Sequence, residues 1–309
     1  MLLSVVIPLL NEAGNLVELH SRLAAVLDRI GAQRQILFVD DGSTDGSLEV
    51  IRRIAARDST VGAIRLSRNF GHEIAMTAGL DAATGDATVI MDADLQDPPE
   101  LIEEMAARWR EGIEVVYAVR RRRDGESPFK KWTSWLFYRL LDKLSNIRIP
   151  LDAGDFRLID RKVREAVGRC REHDRFVRGL VAWAGFKTAP VIYDRPPRAA
   201  GETKYGALML LLLSVDAVLG FSIRPLRVAS AAGFLVMLLS LASALVCLCV
   251  GAPGYALLTA GLFFLGGVQM LMLGILGEYI GRIYRQSQER PLYFVAETLV
   301  GGSSLNTAR

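Results

Sequence analysis

Three polar clusters stand where buried strands end, and two of them carry paired acids whose spacing suits metal and phosphate chemistry. Asp92-Ala93-Asp94 follows the apolar run Thr88–Met91. Carboxylates at i and i+2, placed where a chain turns off a strand, can face one cation. Mg²⁺ and Mn²⁺ take such oxygen ligands and share them with substrate phosphates. A cation held there would neutralise a diphosphate leaving group as its bond to a sugar breaks. Asp40-Asp41 closes a second apolar run, Ile36–Val39. A carboxylate there can accept hydrogen bonds from a nucleobase or ribose. Pro8, Asn11 and Glu12 close the first run, Ser4–Ile7, in the same way. Other acids have ordinary structural readings. Asp97-Pro98-Pro99-Glu100 reads as a helix N-cap with a capping box, and Asp45 or Thr44 as a second cap. His20, His72 and His173 have no metal-ligand spacing and no partnered nucleophile, and are set aside.

The elements that must position these acids alternate regularly. Ser4–Ile7, Ile36–Val39, Ala63–Leu66, Thr88–Met91 and Val115–Ala118 read as short buried strands. Between them Leu16–Ile30, Gly46–Arg57, Glu73–Ala83 and Pro98–Glu111 carry apolar residues at helical spacing. The alternation predicts βαβ units and a mostly parallel α/β sheet, whose ligands bind beyond the carboxyl ends of the strands. From Arg120 to Pro150 the rhythm lapses into a basic loop and a helix over Trp132–Leu144. A further α/β stretch is predicted from Leu151 to Arg195.

The chain of 309 residues then changes character. No Asp, Glu, Lys or Arg occurs from Val228 to Gly277. Val228–Val250 and Gly254–Gly277 are each long enough to cross ~30 Å of hydrocarbon, and GAPG between them suits a tight turn. Arg224 and Arg227 precede the block, and Arg282 and Arg285 follow it. The positive-inside rule puts both ends in the cytoplasm. Ala207–Ile223 is predicted to lie along the membrane as an interfacial helix. The expected division is a catalytic domain over 1–205, a juxtamembrane region over 206–227, a transmembrane hairpin over 228–280 and a cytoplasmic tail over 281–309. The start MLLSVVIP lacks the form of a signal peptide, so the catalytic domain is expected to stay inside. Net charge is only +3, which gives no argument for nucleic acid. Basic residues cluster instead at Arg120–Arg123, Lys130, Lys131, Arg178, Arg198 and Lys204. Such a set suits anionic lipid headgroups or a phosphorylated substrate.

With these residues in view, the chain resembles the polyprenyl-phosphate glycosyltransferases of family 2. The resemblance rests on VVIPLLNE at 5–12, VDDGSTD at 39–45, NFGHEIAMTAGLDAATGD at 69–86 and MDADLQDPPE at 91–100. It continues through AGDFRLIDRKV at 153–163, AGETKYG at 200–206 and LGEYIGRIYRQSQERPLYFV at 276–295. The resemblance implies a GT-A-type fold, with Pro8, Leu10, Glu12, Val39, Asp41, Asp92 and Ala93 lining the nucleotide. It implies that Asp92, Asp94 and Gln96 hold the metal and the donor diphosphate. Arg120, Lys131, Arg198 and Lys204 would contact donor or acceptor phosphate, and Asp155 would be the catalytic acid of the AGDFR motif. Asp152 falls near the corresponding acid of the mannose synthases.

The implied reaction is inverting transfer of a sugar from a nucleotide sugar to polyprenyl phosphate, at a bacterial plasma membrane, by a homotetramer. Tail similarity favours UDP-glucose; 4-formamido-arabinose and mannose donors remain open. A phosphate acceptor is mostly dianionic at neutral pH, so Asp155 is expected to orient the donor or an arginine rather than abstract a proton. A processive polysaccharide synthase would need a QxxRW-type motif and more spans. A non-catalytic membrane scaffold would not need acids at three strand ends.

Overall fold

A computed structural model describes residues 1–120, 153–193, 254–300 and 303–305, together with 233–236, 238–239, 242 and 246. The basic loop, the 132–144 helix, the interfacial helix and most of the first predicted span lie outside the described residues.

The strands are β1 (Leu2–Leu9), β2 (Gln33–Asp40), β3 (Val61–Leu66), β4 (Ala87–Ile90), β5 (Val115–Arg120), β6 (Ala153–Asp160), β7 (Thr188–Tyr193), β8 (Val295–Val300) and β9 (Ser303–Leu305). They form one sheet in the order β7-β5-β6-β4-β1-β2-β3-β8-β9. Its centre, β4-β1-β2-β3, is parallel. β1 is buried along almost its whole length, as a strand covered on both faces must be. The helices are α1 (Leu16–Ile30), α2 (Ser47–Ala55), α3 (His72–Ala82), α4 (Leu101–Arg110), α5 (Arg161–Arg169), α6 (Val177–Trp183) and α7 (Gly254–Ser287). α1 shows why the pattern was readable. Leu16, Leu19, Leu23, Val26 and Leu27 face the core at helical spacing, and Gly31 ends the helix in the left-handed region at φ 67°.

Two expectations are corrected. The helix predicted over Pro98–Glu111 begins at Leu101, and Asp97 does not cap it. Asp97 is buried and accepts a hydrogen bond from the Tyr193 hydroxyl at 3.0 Å. Glu100 is drawn away from any capping box by Arg22, which donates to it twice, at 3.0 and 2.8 Å. The other expected cap is present in effect: the Asp45 carboxylate accepts from the Ser47 N–H at 2.9 Å.

The C-terminal residues do more than trail from the apolar block. β8 pairs antiparallel with β3, and β9 with β8, extending the sheet by two strands. Arg52 of α2 donates to both oxygens of Glu297 in β8, at 2.8 and 2.9 Å. The Tyr293 hydroxyl donates to Asp81 at 2.9 Å, and Arg171 donates to the same carboxylate. Tyr293 and Asp81 line a cavity of about 610 Å³, together with residues of β2, β3, α3 and β8.

The described residues fall into two units, the sheet with its helices and the apolar helical segment. α7 has 34 residues, about 51 Å at 1.5 Å per residue. Leu258, Leu262, Phe264, Met270 and Leu271 on it are all exposed. Phe264–Ser287 is long and apolar enough to cross a membrane. The hairpin partner predicted over 228–250 is helical at the few residues described there.

α3 crosses the sheet at close quarters. A Cβ on Gly79 would lie 2.2 Å from Val6 Cγ1 and 2.9 Å from Val39 Cγ2. Gly79→Ala is therefore expected to destabilise the sheet unit by about 1–3 kcal/mol, the usual cost of overpacking a core. A drop of several degrees in the thermal midpoint of the full chain in detergent checks this.

Candidate active site

The sheet topology assembles the site. Parallel β1, β2 and β4 deliver their following turns to one edge. β6 runs antiparallel to β4 with Arg157 opposite Ile90. Extending that register by two residues on each strand sets Asp155 opposite Asp92. α3 starts at this same edge, because it leaves the carboxyl end of β3.

The turns after β1 and β2 hold each other. Asn11, at φ 58°, accepts from the Thr44 N–H at 2.9 Å. Its own N–H donates to the Ser43 hydroxyl at 2.9 Å, and the Glu12 N–H donates to the Ser47 hydroxyl at 3.0 Å. Asn11 is thus a bridge between strand ends rather than a helix cap. Asp40 is fully buried and accepts from the Ser43 N–H. Asp41 accepts from the Phe70 N–H at 2.7 Å and the Gly71 N–H at 2.9 Å. Burial raises its pKa and those two donors oppose the rise. The turn is tight: a Cβ on Gly42, at φ 80°, would meet the Asn69 nitrogen at 2.9 Å. Of the other expected nucleotide-lining residues, Pro8, Val39 and Ala93 are buried and Leu10 is half-buried. The Val39 side chain packs under α3, so contact with a ligand from that position can come only from backbone.

The acid end is an ion cluster. His72 Nε2 lies 3.5 Å from an Asp92 oxygen and 3.8 Å from an Asp155 oxygen. Arg178 of α6 reaches both oxygens of Asp155, at 3.3 and 3.4 Å. Buried Arg157 donates to the backbone oxygens of Asp155 and Gly154. Burial works against ionising Asp155, yet Arg178, His72 and Arg157 outweigh it and hold the carboxyl well below the ordinary range. Burial also opposes the His72 imidazolium, but Asp155 and Asp92 push its pKa up to about 9. Asp92 is pushed up to about 7, first by burial and then by Asp97, Asp155 and Asp94, against the pull of His72. Asp94 accepts from the Gln96 N–H at 3.1 Å. Gln96 is buried, and its Oε1 has no partner among the described residues.

The structure brings Asp92, Asp94, Gln96 and Asp155 to one edge of the sheet. Arg120 ends β5 with its backbone beside Tyr193. Its side chain, and Lys131, Arg198 and Lys204, lie outside the described residues. His72 corrects the sequence reading. Sequence shows no metal-ligand spacing and no partnered nucleophile for it, but its carboxylate partners are 20 and 83 residues away and meet it only through β4 and β6. Its place at the first turn of α3, directly after a strand end, was the available signal. Arg178 was read only as one of a basic set, and the structure places it on Asp155.

The match to known proteins decides the family. Residues 4–168 match the model for glycosyl transferase family 2, and residues 224–283 match the one described as the GtrB C-terminal hairpin. The chain belongs to glycosyl transferase family 2. An uncharacterized glycosyltransferase of Bacillus subtilis is 48% identical over 302 residues, covering 96% of this chain and 93% of that one. A prophage bactoprenol glucosyl transferase homolog of Escherichia coli is 36% identical, covering 96% and 98%. The Bactoprenol glucosyl transferase of Shigella phage SfV is also 36% identical, covering 96% and 98%. These relatives and the hairpin place the chain in the polyprenyl-phosphate group of that family. In fold, it is similar to mannosyl-3-phosphoglycerate synthase of Rubrobacter xylanophilus. The TM-score is 0.50 at 21% identity, over 71% of this chain and 72% of that one.

The ion cluster makes a direct prediction about charge. In metal-free buffer, Asp155→Asn removes the anion that supports the imidazolium, so the His72 pKa should fall from about 9 toward the ordinary 6.5. NMR titration of ring-labelled histidine reads the change. A His72 pKa left where it was would contradict the assignment.

Proposed function

We propose that this enzyme transfers a sugar, glucose from UDP-glucose first among the candidates, to the phosphate of a polyprenyl lipid with inversion at the anomeric carbon. One observation carries the mechanism. Asp155 is held ionised between Arg178 and His72. A carboxylate held so far below its usual pKa is a weak base, and efficient general bases have pKa values near the working pH. That suits an acceptor which brings its own charge. A phosphate monoester has its second pKa near ~6 and is largely a dianion at neutral pH.

In the proposed step a lipid phosphate oxygen attacks the anomeric carbon. The C–O bond to the nucleoside diphosphate breaks, and the electron pair leaves with the diphosphate. No proton need move. Asp155 orients Arg178 and His72 toward the reacting groups. Both cations reduce the repulsion between an anionic donor and an anionic acceptor. Arg120, Lys131, Arg198 and Lys204 belong to the same phosphate-holding set in this reading. Asp41 and the neighbouring turn backbones would receive the nucleoside.

Asp92, Asp94 and Gln96 fit a divalent cation, Mg²⁺ or Mn²⁺. Asp92 is crowded by other acids, and Gln96 Oε1 is a buried acceptor with no partner among the described residues. Among the described residues no three acids, histidines or cysteines close on one point, so phosphate oxygens of the donor would complete such a shell. When bound, the cation supplies charge for the departing diphosphate. The likeness to bactoprenol glucosyl transferases supports the lipid acceptor. The match to the GtrB C-terminal hairpin supports a two-helix anchor in the membrane that holds this acceptor, with both ends cytoplasmic. A homotetramer packed through these helices belongs to the same reading.

Purified full-length enzyme with undecaprenyl phosphate, Mg²⁺ or Mn²⁺ and a panel of nucleotide sugars tests the proposal. Transfer from UDP-glucose is expected, with loss on chelation and a fall of about 10²-fold or more in kcat for Asp94→Ala, the scale of losing one group that stabilises developing charge. No turnover with any donor would favour a non-catalytic scaffold. Asp155→Asn is expected to slow transfer while leaving the acidic limb of the pH–rate profile near pH ~6, where the acceptor phosphate titrates. Disappearance of that limb would restore a base role for Asp155.

A further inference from the structure

The two side chains that flank Asp155 come from different helices, and one partly buried hydrogen bond joins those helices. Glu73 follows His72 at the start of α3. Its Oε2 accepts the Val177 N–H at 2.8 Å. Val177 precedes Arg178 and opens α6, where the first backbone N–H groups have no partner within the helix. Each end of this bond is therefore one residue from a contact with Asp155. The contact joins parts of the chain 104 residues apart. It also has a costly setting, since burial and the nearby Asp155 push the Glu73 pKa up to about 7. A residue needed only to cap a short helix could sit at the surface, where a carboxylate stays hydrated.

We propose that Glu73 is a positioning residue for the transfer reaction: by holding the first N–H of α6 against the first turn of α3, it brings Arg178 and His72 together on Asp155. The assignment rests on the proposed glycosyl transfer for its kinetic consequence, but the bond can be tested without it. Glu73 itself touches neither reacting group. Misplacing a guanidinium by about 1 Å is enough to cost up to 10²-fold in rate.

Glu73→Ala and Glu73→Gln in the full-length enzyme separate this from a general structural role. Glutamine keeps an oxygen that can accept the Val177 N–H, and alanine does not. Without substrate, hydrogen exchange at the Val177 amide should quicken at least tenfold in Glu73→Ala and stay slow in Glu73→Gln. In the transfer assay, Glu73→Ala should lower kcat by about 10- to 100-fold. The KM for the nucleotide sugar should stay within about threefold, because the nucleoside turns are untouched, and Glu73→Gln should recover most of the rate. If Glu73 acts through Arg178, the double variant Glu73→Ala/Arg178→Ala should be no slower than Arg178→Ala alone, since neighbours in one network are not additive. Unchanged exchange at Val177, losses that multiply in the double variant, or a glutamine variant as slow as alanine would each overturn the proposal. A wild-type enzyme inactive with every donor would sink the transfer reading instead, and the exchange result would still decide the bond.

Discussion

Like charges set the central constraint on this fold. Glu73, Asp92, Asp94, Asp97 and Asp155 gather at one edge of a sheet; Asp97 is buried and the other four are half-buried. Carboxylates crowded this way cannot all stay ionised unless cations stand among them. The protein supplies Arg178, Arg157 and His72, and it distributes them unevenly. Asp155 receives most of the positive charge and stays ionised. Asp92 receives less, and its pKa rises to about 7. The imbalance leaves the Asp92–Asp94 end short of positive charge, which is where a divalent ion and a diphosphate would be most stabilised. One sheet edge thus has an anion held by two arginines and a histidine at one end and a pair facing only His72 and a backbone N–H at the other.

The rest of the catalytic unit makes that arrangement rigid. Parallel β1, β2 and β4 bring three turns to one edge, and antiparallel β6 returns Asp155 to the same place. Gly79 lets α3 lie against Val6 and Val39, which fixes where His72 and Glu73 emerge. The C-terminal strands add a constraint of a different kind. The chain passes through the apolar helix and then rejoins the sheet beside β3, where Tyr293, Glu297 and β8 tie it down.

Local pattern carried most of the fold and part of the site. The first five strands and four helices were legible because their apolar residues repeat with the periods of buried strands and amphipathic helices. Asp92, Asp94 and Asp41 were legible as acids immediately after such strands. What failed was long-range. Asp97 looked like a cap because its four-residue context is that of a cap, while its partner, Tyr193, lies 96 residues on. His72 looked idle because its two carboxylates are distant in sequence. Strands β8 and β9 were missed because an edge pairing with β3 has no local signature. The ion cluster depends on register between β4 and β6, which no window of residues contains.

The central claim is that the acceptor contributes its own negative charge, so that no side chain must act as a strong base. Comparing undecaprenyl phosphate with undecaprenol as acceptors, for the same enzyme in the same bilayer, tests it most directly. The account predicts transfer to the phosphate and none detectable to the alcohol, whose hydroxyl would need deprotonation. Comparable rates with both acceptors would contradict it and would require a general base that the ionised, arginine-bound Asp155 does not provide.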